Sequence, residues 1–138
     1  MRGSPRSVRV FWLARIVAIL LPTACAAGPE HSLAVVASAY TSTPEQTNEE
    51  PFVAAWGDSL EPGMRAIAVS RDLLELGLVR GTRVRIDGMP GEYVVLDKMA
   101  RRWTRKIDIY MGEDTDAARH WGVRNVRIRW RPARPIVP

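Results

Sequence analysis

The sequence predicts a mainly β domain, a compact barrel of short strands with one or two short helices, preceded by an N-terminal signal segment. Its apolar runs are short, rich in Val and Ile, and bounded by turn residues, which include 10 Gly and 10 Pro. Few stretches carry helix start and stop signals. The 138 residues are enough for one domain but not for two. Many short strands favour a β-barrel over a parallel α/β sheet.

Residues 1–27 have the three-part layout of a secretory signal. A basic stretch precedes an apolar run at 10–21, and small residues follow it. A cleaved signal is the first interpretation; an uncleaved anchor and an unprocessed tail are the alternatives. Arg15 interrupts the apolar run and would cost roughly 2.5 to 3.5 kcal/mol at the centre of a bilayer. Cys25, the only cysteine, is a weak candidate for lipid attachment, and no disulfide can form within the chain.

The chain is therefore expected to be exported to the periplasm or the cell envelope. A membrane would be contacted only through an N-terminal anchor or lipid. The rest of the chain is expected to divide into a linker at 28–32, a barrel domain at 33–131 and a C-terminal tail at 132–138.

Strand signals recur along the barrel domain. The last strand shows the clearest alternation, because Val126, Ile128 and Trp130 alternate with arginines. Gly-rich residues at 87–91 predict a turn between two of the strands. The predicted strands are 33–40, 82–86, 92–97, 106–110 and 123–130.

Two short helices and one long excursion complete the prediction. Residues 70–75 carry helix signals, with Asp72 and Glu75 at the spacing of a capping box. A second helix is expected to be capped by Asp114 and to end before Gly122. The polar segment 41–64, interrupted by proline and glycine, is expected to run over the surface.

The charge distribution argues against nucleic acid as a partner. Residues 28–138 carry 16 basic and 15 acidic groups, without the net basic surplus that is usual in domains that bind nucleic acid through phosphate contacts. The charges are nevertheless sorted, with 5 basic against 11 acidic groups in 28–97 and 11 against 4 in 98–138. These groups either pair across the barrel and stay solvated, or form a basic lip beside a site for an anionic polymer.

Two aspartates lie in otherwise apolar strands. Asp97 ends an apolar run, and Asp108 lies between Ile107 and Ile109. Since strand side chains alternate, the two isoleucines are expected to point into the core and Asp108 away from it. Taken alone, each carboxylate is read as a surface group paired with Lys106 or an arginine.

A set of segments in this chain resembles the Asp-Asp-Asp (3D) domain family. The matching segments occur in the family's order and span roughly 34–130. The resemblance implies a six-stranded double-psi β-barrel related to membrane-bound lytic transglycosylase A and rare-lipoprotein-A, with peptidoglycan glycan strands as substrate. The segments are Ala-Tyr-Thr-Ser at 39–42, Ile-Ala-Val-Ser-Arg-Asp-Leu at 67–73, Gly-Thr-Arg-Val at 81–84, Val-Val-Leu-Asp at 94–97, Ile-Asp-Ile-Tyr-Met-Gly at 107–112 and Ala-Ala-Arg-His-Trp-Gly at 117–122.

The resemblance also implies the site residues. Asp108 would be the proton donor and Asp97 its neighbour across the groove. The chain departs from the pattern twice: Ser70 stands where the family has its first aspartate, and the family's glycine-rich turn is replaced by 98–106, which has no glycine. The candidates for substrate binding are Trp103, Arg101, Arg102, Arg105, Lys106, Tyr110 and Tyr40. Trp103 is expected either to stack on a sugar or to pack against the barrel.

A lytic transglycosylase needs a single acid that later acts as base. Burial and the charge of Asp97 would raise the pKa of Asp108, whereas the cations of the 98–106 loop would lower it, so the sequence leaves both outcomes open. The predicted function is peptidoglycan cleavage, with a non-catalytic peptidoglycan-binding barrel and another envelope interaction module as alternatives. No cofactor and no metal are expected, since His31 and His120 are isolated and not spaced as ligands.

Overall fold

Six strands close into a barrel of mixed parallel and antiparallel pairs in a computed structural model that describes residues 28–42 and 53–132. The predictions for 1–27, for 43–52 and for 133–138 lie outside the described residues. The elements are β1 (His31–Tyr40), β2 (Ala66–Val69), α1 (Arg71–Leu74), β3 (Arg83–Ile86), β4 (Tyr93–Lys98), β5 (Lys106–Tyr110), α2 (Thr115–Trp121) and β6 (Arg124–Trp130).

The strand order around the barrel is β1, β5, β2, β4, β3, β6. Parallel pairing joins β1 to β5 and β2 to β4, and the other neighbours are antiparallel. β5 therefore lies between the consecutive strands β1 and β2, and β2 lies between the consecutive strands β4 and β5. This strand order is that of a double-psi barrel and confirms the predicted fold class.

Alternation along each strand fills the barrel interior. Ile107 and Ile109 of β5 are fully buried, as predicted, and Val84 and Ile128 meet them from the far side of the core. Trp130 at the end of β6 is also buried, and its indole nitrogen donates to the backbone carbonyl of Leu76 at 3.2 Å. A buried apolar core of this kind supplies the stability that the chain cannot obtain from disulfides.

Most predicted elements are confirmed within one or two residues, one strand is additional, and one detail, the capping box, is wrong. β1 begins at His31, inside the predicted linker, because its first residues pair with the end of β6. The strand β2 was not separately predicted. The first helix is preceded by Ser70 as N-cap, so the proposed capping box at Asp72 and Glu75 does not form.

The second helix follows the prediction closely. The Asp114 carboxylate accepts a hydrogen bond from the backbone N–H of Ala117 at 2.8 Å, and Gly122 ends the helix with a φ of 64°. Neither helix described here has the length and apolar character needed to cross a membrane.

Candidate functional site

Four residues form one row across the outer surface of β1, β5, β2 and β4. Ser38 is the register partner of Asp108, Asp108 of Ala68, and Ala68 of Asp97. Neighbouring strands lie about 4.7 to 4.9 Å apart, so the Cα atoms of the two aspartates are roughly 9 to 10 Å apart. The small side chain of Ala68, which is buried, separates the two carboxyl groups. The barrel closure therefore brings together the two aspartates that the sequence singled out.

Asp108 is half-buried, and its surroundings favour the protonated form. Burial raises the pKa of the Asp108 carboxyl above its ordinary value, and the negative charge of Asp97 acts in the same direction. A hydrogen bond from the Ser38 hydroxyl, 2.9 Å from Oδ1, and the charge of Lys106 oppose the rise without cancelling it. Of the opposing effects on the pKa of Asp108, burial is therefore stronger than the nearby cation.

Asp97 has a different task, which is to hold the end of the surface excursion. Its Oδ1 accepts hydrogen bonds from the backbone N–H of Ala55 at 2.7 Å and of Lys98 at 2.8 Å. The Lys98 ammonium lies 5.3 Å from the centroid of the adjacent Trp56 ring. The carboxylate of Asp97 therefore fixes the turn around 53–59 above the row of site residues.

Tyr40 contributes a buried hydroxyl that has no hydrogen-bond partner among the described residues. Burial, with the charges of Asp97 and Asp108 and the nearby Tyr110, raises the pKa of Tyr40 well above its ordinary range, so the phenol stays protonated. Its ring lies 5.4 Å from that of Tyr110, its register partner in β5. The Tyr40 hydroxyl is therefore an enclosed donor beside the two aspartates.

Tyr110 supports this arrangement from below. Its side chain is buried against Ala54, Leu60 and Ala66, and its hydroxyl accepts a hydrogen bond from Ser42 at 2.8 Å. Tyr110 therefore fixes Tyr40 and the excursion rather than presenting a surface of its own.

The basic loop between β4 and β5 stays outside the site. Arg101, Arg102 and Arg105 are exposed, and none of the three is among the groups that shift the pKa of Asp108. Lys106 is the cation that lowers the pKa of Asp108. Its ammonium group also lies 3.7 Å from the centroid of the Trp103 ring. Trp103 keeps 37% of its surface exposed, so it packs against its own loop and not into the barrel.

Ser70 and Asp72 hold this loop in place. The Ser70 hydroxyl accepts from the backbone N–H of Lys106 at 3.0 Å, and Asp72 Oδ2 accepts from that of Arg105 at 2.9 Å. Arg105 has a φ of 47°, a left-handed conformation that is uncommon for residues other than glycine. The residues at which the sequence departs from the 3D pattern thus fix the entry to β5.

Sequence reasoning missed three parts of the site: Ser38, Ala68 and the backbone N–H of Ala55. Ser38 precedes Tyr40 by two residues, so strand alternation could have placed Ser38 on the same face as Tyr40. The other two depend on strand register and on the path of the excursion, for which the sequence carries no local signal. The described residues contain no cluster of three or more His, Cys, Asp or Glu side chains able to hold a metal ion.

No protein-family model matches this sequence, and no curated protein matches it. Among solved structures the chain is similar to the crystal structure of an apo expansin from Clavibacter michiganensis, with 19% sequence identity and a TM-score of 0.48. The similarity covers 78% of this chain and 54% of the expansin, so this chain spans about half the length of that protein.

Proposed function

We propose that this chain cleaves the glycan strands of peptidoglycan in the manner of a lytic transglycosylase, with Asp108 as the single acid and base. The observation that carries the proposal is the environment of Asp108: a half-buried carboxyl with a raised pKa, a hydroxyl partner in Ser38 and no guanidinium in contact. The substrate class comes from the resemblance of six segments to the 3D domain.

The arrangement suits a mechanism with one carboxyl group better than one with two. Two-carboxyl hydrolases place these groups about 5 to 5.5 Å apart for retention or about 6.5 to 9.5 Å apart for inversion. The strand between Asp97 and Asp108 is compatible only with the inverting spacing, which requires the second carboxylate to be free to act as base. Asp97 Oδ1 also accepts two backbone N–H groups, so this aspartate is occupied in fixing the excursion. Asp97 then acts on the reaction through its charge, by helping Asp108 to keep its proton.

The proposed step needs no water and no cofactor. Protonated Asp108 gives its proton to the oxygen that links N-acetylmuramic acid to N-acetylglucosamine, and the bond between that oxygen and C1 breaks. The C6 hydroxyl of the muramic residue then attacks C1 and gives its proton to the Asp108 carboxylate, which restores the acid.

The test is the release of 1,6-anhydro products from purified peptidoglycan, followed by mass spectrometry. We expect Asp108→Asn to lower the rate by about 10²- to 10⁴-fold, the usual contribution of a general acid. Asp116→Asn is the matched control, because the Asp116 side chain lies on α2 with 93% of its surface exposed. Equal activity in wild type and Asp108→Asn would overturn the assignment of Asp108.

A second candidate is a non-catalytic peptidoglycan-binding barrel. It is favoured by the two backbone hydrogen bonds that Asp97 accepts, because they leave Asp108 as the one free carboxyl of the row. It predicts that the chain sediments with insoluble peptidoglycan and releases no product. Under this alternative Asp108→Asn retains binding, whereas wild type shows no anhydro sugar at any pH between about 4 and 8.

A further inference from the structure

A second charged surface lies on the opposite side of the barrel from the aspartates. In the closed strand order, β3 and β6 stand across from β5 and β2. The outer faces of β3 and β6 contribute to a groove of about 510 Å³. The charged side chains that line this groove are Arg83, Arg85, Arg129, Arg131, Glu30 and Glu92.

The arginines of this groove are placed where their like charges repel one another. Arg85 and Arg129 are direct register partners on neighbouring antiparallel strands. The next pair is Val84 and Trp130. Beyond it lie Arg83 at the end of β3 and Arg131 after β6. Like charges placed directly opposite each other destabilise a sheet. A chain that keeps two successive arginine pairs on one face therefore points to an anionic ligand.

The nearby carboxylates only partly compensate this charge. Arg85 forms an ion pair with Glu30, and Arg129 lies 2.5 Å from Asp87. Arg83 approaches Glu92 only to 3.4 Å. The remaining arginine, at position 131, has no ion pair with any residue that the structure describes. Four guanidinium groups thus meet two carboxylates in the groove wall, with a third at its edge.

The positions of the arginines indicate the form of the ligand. Successive residues on one face of a strand lie roughly 6.6 to 6.8 Å apart, so the two arginine pairs follow one another along the strands and suit an extended chain with repeated anionic groups. Guanidinium groups bind phosphate oxygens through two parallel N–H donors, as they also bind carboxylates, and a comparison with a polycarboxylate distinguishes the two anions. We propose that this groove binds an extended, linear phosphodiester polymer through its four arginines. The proposal is independent of the function assigned to Asp108.

The experiment measures binding of poly(glycerol phosphate) to the full chain by isothermal titration calorimetry at several salt concentrations. We expect the double variant Arg85→Gln/Arg129→Gln to bind about tenfold more weakly and with a shallower salt dependence, since each lost phosphate contact reduces the slope. The control is Arg101→Gln/Arg102→Gln, which removes the same charge from the loop on the other side of the barrel. This control is expected to stay within about twofold of wild type.

Further variants and probes make the outcome decisive. Arg131→Gln removes an arginine without an ion pair in the described residues, so it tests the groove should the double variant unfold. Oligo(dT) distinguishes the source of the phosphodiester: tighter binding of oligo(dT) than of poly(glycerol phosphate) assigns the same groove to a nucleic-acid strand. Equal losses in the groove and loop variants, no binding by wild type, or equally tight binding of polygalacturonate would each overturn the proposal.

Discussion

At Asp108 two opposing effects act on one carboxyl group. Burial in the outer layer of β5 disfavours the charge, while the Ser38 hydroxyl stabilises it. Because burial dominates, the native state holds the proton more tightly than the unfolded chain does. A carboxyl group whose pKa is raised by burial costs stability at neutral pH.

The change Asp108→Asn is expected to raise the free energy of unfolding at pH 7. The protonated carboxyl contributes its full stability below the unfolded pKa near 3.8 and loses it as the pH rises through the higher folded pKa. Asparagine cannot ionise and still offers an oxygen to Ser38, so its advantage over wild type should grow as the pH rises from about 4 to 8. Urea unfolding at a series of pH values measures this. A variant less stable than wild type at pH 7 would contradict the raised pKa.

Tyr40→Phe is expected to increase stability and to leave glycan turnover unchanged. The buried hydroxyl has no partner among the described residues, so its removal should add about 1 to 2 kcal/mol to the free energy of unfolding. Because the hydroxyl is enclosed by the fold, the rate of anhydro-product release should stay close to that of wild type. Paired unfolding and activity measurements test both effects. A loss of stability would show that the hydroxyl is engaged within the fold.

At the scale of elements, the short helix α1 matters for where it places its N-terminal residues. Ser70 and Asp72 accept the backbone N–H groups of Lys106 and Arg105, so the start of β5 is tied to the end of β2. The bond to Asp72 anchors the basic loop at Arg105, which has a left-handed conformation. The helix therefore fixes the point at which the loop enters β5.

Asp72→Ala is expected to lower the free energy of unfolding by about 1 kcal/mol at pH 7, the scale of a partly exposed hydrogen bond to a charged acceptor. Burial raises the pKa of Asp72, but hydrogen bonds from Ser70 and from backbone N–H groups, that of Arg105 included, outweigh it and lower the pKa overall. The contribution is therefore present above the unfolded pKa of 3.8 and lost as the pH falls through the folded pKa.

This pH dependence is opposite in sign to that of Asp108→Asn, and the same urea series measures it. Asp116→Ala on the exposed face of α2 is the control and should stay within about 0.5 kcal/mol of wild type. A destabilisation by Asp72→Ala that persists unchanged at pH 3 would contradict the assigned role of the carboxylate.

At the scale of the whole molecule, the double-psi closure gives the barrel two chemically different sides. The side with β5 and β2 carries the two aspartates and the tyrosine pair, whereas the side with β3 and β6 carries the arginine groove. The expected pairing of the acidic and basic parts of the chain is realised sparsely: among the ion pairs of the described residues, only Arg129 with Asp87 joins the two parts. Most of the sorted charge is thus free to act on ligands.

Ile109→Ala should test the closure itself, because β5 pairs with both β1 and β2 beneath a crossover. Ile109 is fully buried, and truncation of such a side chain costs about 2 to 5 kcal/mol. That is a large share of the roughly 5 to 15 kcal/mol that stabilises a domain of this size. Urea unfolding with an unchanged m-value measures it, and Val123→Ala, at a position 70% exposed, should stay within about 0.5 kcal/mol.

Local patterns in the sequence were sufficient for the strands that alternate and for the helix that carries its own caps. The strand at 106–110 and the helix between Asp114 and Gly122 lie where residue order placed them, because alternation and capping depend only on near neighbours. The strand β2 escaped prediction because all of its residues, 66–69, are buried, so it shows no polar alternation.

The sequence alone determined that Asp97 and Asp108 interrupt apolar strands and that the Asp108 side chain leaves the core. Only the tertiary structure decided that they share one row across Ala68, that Ser38 serves one and the backbone of Ala55 the other, and that the arginines of β3 and β6 meet face to face. The physical reason is that side-chain direction follows from the local backbone, whereas strand register follows from the closure of the barrel around one shared core.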